Sequence, residues 1–328
     1  MKWRGRRRST NVRRGGSSGG FSIPGMSGRS GSPMGRPGGI LPVGGIGGII
    51  ILLLIYFLGG GLGGPSEQTQ QDPNSARNTG TQSNQVQGTE FKYQNEMEEF
   101  LAVVLADTED VWHELFEEEG MTYREPTLVL YSGQTQSGCG IGDSRMGPFY
   151  CPADQSIYID PSFYEELRDK FDAPGDFAFA YVLAHEVGHH VQNLMGITDD
   201  VFKLRNQMSE QQFNTQVLVR LELQADYMAG VFAHHVQNKG YLEKGDIEEA
   251  MNAAAAVGDD NIQRKMTGNV SPETFTHGTS EQRMRWFNAG YEAGNLAEGD
   301  TFNIDHDSLK HYFPSRNENG SEVFARAA

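Results

Sequence analysis

Residues 217–232, VLVRLELQADYMAGVF, are apolar around most of the circumference of a helix, the pattern of a helix without a solvent face. Two carboxylates nevertheless sit in its middle. Glu222 and Asp226 are four residues apart and therefore share one side of that helix. An isolated buried charge is too costly to keep, so the fold must bring a metal ion or a cation against that side. One solution is an internal ion pair, for instance with Arg220. The other is a metal site in which Glu222 is a ligand and Asp226 accepts a hydrogen bond from a ligand imidazole.

The metal solution has its second half upstream. The run Ala184-His185-Glu186-Val187-Gly188-His189-His190 contains His-Glu-x-x-His. On a helix that spacing stacks His185 and His189 one turn apart, where both can reach one ion. Glu186 projects from a neighbouring side and can take a proton from a water at the metal without being a ligand. Phe179, Val182, Leu183, Val187, Val191 and Leu194 recur at helical spacing, with Asp176 expected as the N-cap and Gly196 as the stop. A bare His-Glu-x-x-His match arises by chance, and the downstream carboxylates give it weight. Two histidines and a glutamate form a catalytic zinc set with one position left open, so one Zn²⁺ ion is the expected cofactor.

The N-terminal part is a different kind of polymer. Lys2, Arg4, Arg6, Arg7, Arg8, Arg13, Arg14, Arg29 and Arg36 precede the first acid, Glu67, in a Gly, Ser and Pro background. Residues 1–39 are therefore expected to be a disordered basic arm. Residues 40–62 carry no charge and centre on Ile49-Ile50-Ile51-Leu52-Leu53-Leu54-Ile55-Tyr56-Phe57-Leu58, long enough for one transmembrane helix. Bases before that stretch and none just after it would place the N-terminus in the cytoplasm and everything C-terminal outside, a single-pass arrangement in the cytoplasmic membrane. A cleaved signal peptide is the competitor, and the long basic region before the apolar stretch argues against it. Residues 63–88 read as a flexible linker, 89–315 as one domain and 316–328 as a frayed tail.

Nine of the 27 bases lie in that arm, which leaves 18 against all 43 acids in the remainder. Such a surface repels nucleic acid. The basic arm fits the positive-inside pattern without a nucleic-acid partner, so none is expected.

Within the domain, Phe91–Glu118 reads as a helix, Thr127–Tyr131 as a buried strand and Ser156–Asp160 as a strand at a sheet edge. An edge beside the metal helix could hold a peptide by adding it as another strand. Cys139 and Cys151 are the only cysteines and have no C-x-x-C pattern, so a disulfide is expected rather than a zinc site. Lys244–Val257 is a further helix, and Asp259-Asp260 are expected to cap the next. The turn Thr276-His277-Gly278-Thr279-Ser280 precedes a last helix capped by Thr279 or Ser280. His277 in that turn is either structural or a donor to the oxyanion of a tetrahedral intermediate.

With HEVGHHVQ, RLELQADYMAG, GPFYCPADQSIYID and AVGDDNIQ…FTHGTSEQRMRWF present in that order, the chain resembles the neutral zinc metallopeptidase family over residues 89–303. The resemblance implies His185, His189 and Glu222 as zinc ligands, Glu186 as the catalytic residue and a bacterial cell-envelope location. The expected fold is mainly helical α+β, a zincin-like metallopeptidase domain with a small sheet, preceded by one transmembrane helix. The expected activity is hydrolysis of peptide or protein substrates by a water that Glu186 deprotonates. A zinc hydrolase of a non-peptide envelope substrate and a non-catalytic zinc-binding scaffold are the alternatives.

Overall fold

A computed structural model describes residues 1–16 and 91–304. A four-stranded sheet packs against a layer of helices, the mainly helical α+β arrangement expected. Strand β1 (Val12–Arg14) is followed by helix α1 (Glu96–Glu118) and strand β2 (Thr127–Leu130). The hairpin β3 (Gln134–Ser137) and β4 (Gly140–Asp143) then leads to β5 (Phe149–Cys151) and β6 (Ser156–Ile159). The main sheet has the order β1-β2-β6-β5, with β1 and β6 parallel to β2 and β5 antiparallel to β6. Strand alternation divides its faces. Leu128, Leu130, Ile157 and Ile159 enter the main core, whereas Val129 and Tyr158 join Phe149 and the two cysteines in a smaller cluster behind it. A Cys139–Cys151 disulfide closes that second cluster.

Three expectations need correction. The arm over 1–39 is not disordered at its start: Met1, Trp3 and Val12 are buried in the core, and Val12–Arg14 form an edge strand of the sheet. Their apolar side chains alternate with arginines that pair with acids of α1, so the low-hydrophobicity composition hid a docking strand. Second, Ser156–Ile159 is an interior strand, hydrogen-bonded on both sides, and the edge beside the metal helix is β5. Third, α1 begins at Glu96 rather than Phe91, because Asn95 caps it by accepting from the Glu98 N–H. Among the described residues no helix is long and apolar enough to cross a membrane. The anchor expected at 40–62, the linker and the tail lie outside the described residues.

After the short α2 (Phe163–Asp169) come α3 (Asp176–Leu194) and α4 (Ile197–Arg205). One helical turn and a π-helical stretch, Phe213–Leu218, then lead into α5 (Val219–Asn238). Helices α6 (Asp246–Ala256), α7 (Asp259–Thr267) and α8 (Ser280–Ala293) complete the layer. Helices α5 and α8 cross with their backbones in contact, since a Cβ on Gly290 would lie 1.9 Å from the Tyr227 carbonyl oxygen and one on Gly230 2.0 Å from that of Phe287. No other residue type fits either position.

Candidate metal centre

Helix α3 is buried from Phe177 to Gln192, so its histidines are presented to a neighbouring helix and not to bulk water. That neighbour is α5. Gly188 lets the two approach closely, since a Cβ there would stand 3.0 Å from the Ala225 carbonyl oxygen. The approach brings His185, His189 and Glu222 together, with one ligand atom from each within 4.8 Å of the others. His185 Nε2 lies 3.2 Å from Glu222 Oε2, and His189 Nε2 lies 3.3 Å from Glu222 Oε1.

The outer nitrogens fix what those inner ones can do. His185 Nδ1 donates to Asp226 Oδ1 at 2.8 Å, and His189 Nδ1 donates to Gln192 Oε1 at 2.9 Å. With those outer contacts made, both Nε2 atoms face the Glu222 carboxylate, so a metal ion placed between them would be reached by all three groups. The donor set, two imidazole nitrogens and a carboxylate, is that of a zinc site with an open position. These residues fit the metal.

Asp226 is held from all sides. Tyr181 Oη donates to its Oδ1 at 2.5 Å, while Arg283 gives Nε to Oδ2 at 2.8 Å and Nη2 to Oδ1 at 3.0 Å. Burial pushes this carboxyl up, but Arg283 and His185 outweigh it and keep it below its ordinary range. The expected alternative partner, Arg220, instead donates to the carbonyls of Thr301 and Ile304. Arg283 and Tyr181 therefore belong to the site although no spacing rule singled them out. Arg283 shares the buried face of an amphipathic helix with Trp286, Phe287 and Gly290, and is 4% exposed.

Glu186 is fully buried, its Oε2 has no hydrogen-bond partner among the described residues, and burial raises its pKa. It lines a cleft together with His185, Tyr181, Pro148 and His277. His277 is fixed by Asp259, which accepts from the imidazole Nδ1 at 3.1 Å and from the backbone N–H groups of Thr276, His277 and Gly278. Burial lowers the pKa of His277, and Asp259 and Glu222 more than compensate, so it stands above the ordinary histidine value. Its Nε2 is buried and has no hydrogen-bond partner among the described residues. Asp259 thus organises the loop before α8 instead of capping its own helix, which begins after Gly258 without a side-chain cap. The Thr279 cap of α8 is present, with a reciprocal bond from Gln282. Asp176, expected to cap α3, is its first residue and binds the Met1 ammonium at 2.9 Å. His234 and His235 contact the carbonyls of Tyr291 and Gly294 near the end of α8, away from the metal ligands.

No solved structure matches this chain. Among proteins it is similar to the uncharacterized protein YpfJ of Escherichia coli (strain K12), 47% identical over 305 residues, or 92% of this chain and 99% of that one. It is also similar to the uncharacterized protein Mb2605 of Mycobacterium bovis, 45% identical over 191 residues, or 55% of this chain and 63% of that one. The family described as "Putative neutral zinc metallopeptidase" matches residues 1–302, so its unit starts at the N-terminal segment and not near residue 89. With a His₂Glu set between α3 and α5 and a match over nearly all the described chain, this protein belongs to the neutral zinc metallopeptidase family.

Proposed function

We propose that the chain is a peptidase that cleaves peptide bonds in the cleft between α3, α7 and the loop before α8, with His185, His189 and Glu222 as ligands of one zinc ion. The observation that carries this is the pair of unpartnered buried polar atoms, Glu186 Oε2 and His277 Nε2, in one cleft beside His185. A closed structural site needs neither. Zinc held there would polarise a carbonyl and make a water acidic enough to deprotonate near neutral pH.

This chain's own residues do the rest. Glu186 takes the proton of the attacking water and passes it to the leaving amine, a task suited to a carboxyl whose pKa burial has raised. Protonated His277 donates from Nε2 to the oxygen of the carbonyl under attack while Asp259 holds its other nitrogen. Asp226, Tyr181 and Arg283 keep the His185 ring in place. Pro148, the residue before β5, lines the cleft, and β5 is an edge of the main sheet, so an extended substrate can add to β5 as a further strand. N-methylating one backbone amide of a substrate at the paired position should raise KM and leave kcat nearly unchanged. The uncharged stretch 40–62 suits contact with a membrane.

The test is digestion of an unbiased peptide library by the zinc-loaded full chain beside Glu186→Gln, read by mass spectrometry. New peptide termini that appear only with Glu186 establish the activity. A folded, zinc-containing protein that cleaves nothing would point to a non-peptide substrate or to zinc binding without turnover.

A further inference from the structure

The N-terminal segment is built into the domain at every level. Met1 places its ammonium among Asp176, Glu243 and Asp246 at 2.9, 3.0 and 3.2 Å. The Trp3 ring meets Phe100 edge-on, and the Ser9 N–H donates to the Ala102 carbonyl at 2.9 Å. The Leu128 N–H donates to the Asn11 carbonyl at 2.8 Å, where β1 begins to pair with β2.

The basic residues that suggested a cytoplasmic arm have other employment. Arg6 pairs with Asp107, Arg7 with Glu109 and Asp110, Arg8 with Glu99, and Arg14 grips Glu98 with two bonds of 2.9 and 2.7 Å. All five acids sit on α1 or within its first turns, so α1 and the segment are complementary in charge as well as in shape. These arginines are therefore paired with α1, and the family's extent over residues 1–302 takes in the same segment.

We propose that residues 1–16 and 91–304 form one folded unit on one side of any membrane, so that the chain makes no single crossing between them. Hydrogen bonds of about 3 Å cannot form across a hydrocarbon layer of about 30 Å. An even number of crossings would also satisfy the contacts, but two helical spans need about 40 apolar residues. Only 37–66 are free of charge between Arg36 and Glu67. This inference is independent of the proposed peptidase activity.

Two experiments on the full-length chain test it. Single cysteines are placed at the exposed positions Thr10 and Glu118, one per variant, and probed in intact and in lysed cells with a membrane-impermeant maleimide. The native cysteines are joined to each other and stay silent. Both sites should behave alike, labelled together from outside or together only after lysis. One site labelled in intact cells and the other only after lysis would overturn the proposal. In the purified chain, Arg14→Glu should lower the unfolding temperature and Glu98→Arg added to it should restore most of the loss. No change with Arg14→Glu, or no rescue, would show that the segment is not docked and would overturn the proposal equally.

Discussion

Arg283 on α8 meets Asp226 on α5 side-on, through two parallel bonds of 2.8 and 3.0 Å, and both side chains are buried. Removing the guanidinium leaves a carboxylate in the core without its main counter-charge. Arg283→Met should therefore cost about 3–5 kcal/mol of stability in urea unfolding, and Arg283→Lys should recover part of it. Equal loss in both variants would mean that packing, and not the pair, is what matters.

Asp226→Asn keeps the shape but weakens the grip on His185 Nδ1. Zinc affinity, measured by chelator competition, should fall about 10–100-fold while the protein stays folded. An unchanged affinity would remove Asp226 from the metal site.

Glu186 Oε2 has no hydrogen-bond partner among the described residues. Glu186→Gln should bind zinc as the parent does and lose about 10²–10⁴-fold in kcat. A variant with full activity would rule out the proposed proton path.

His277 donates from Nε2 only when protonated, because Nδ1 already carries the proton shared with Asp259. The alkaline limb of kcat should then follow loss of that proton. In Asp259→Asn the main support of the raised pKa is gone and burial still lowers it, so the limb should move to lower pH. His277→Gln should reduce kcat about 10²–10³-fold with little change in KM. A KM effect alone would make His277 a binding residue.

The Met1 ammonium gives a pH signature of folding. Burial lowers its pKa, but Asp176 and Glu243 outweigh that and raise it from 8.0 to about 10. A group held above its unfolded value contributes stability fully below pH 8 and loses it as pH rises through about 10. The unfolding free energy should drop over that window, and by less in Asp176→Asn. The same pH slope in both proteins would remove Asp176 as the cause.

What the sequence showed of this site was what periodicity can show. His185 and His189 at helical spacing, and carboxylates in a helix with no polar side, could be read because a helix turns a spacing into a direction. Arg283, Tyr181 and Asp259 could not, since each reaches the site through tertiary contacts that no local interval records. The N-terminal segment misled for a different reason. Its composition is that of a disordered tail, and distant partners order it: β2 beside the strand, the core around Trp3, and the acids of α1 more than 80 residues away. The edge assigned to Ser156–Ile159 failed similarly: alternation shows that a strand has two faces but not how many neighbours it has.

The glycine contact between α5 and α8 bears on how the metal is acquired. Those helices carry Glu222, Asp226 and Arg283, and with backbone against backbone at Gly230 and Gly290 they cannot slide without unpacking the core. Glu222 is thus held by the scaffold, and the close approach of α3 to α5 at Gly188 holds His185 and His189 against it. The metal-free protein is a ready receptor, so stripping the ion should leave a shape that recharges at the speed of diffusion and desolvation, with no refolding in between.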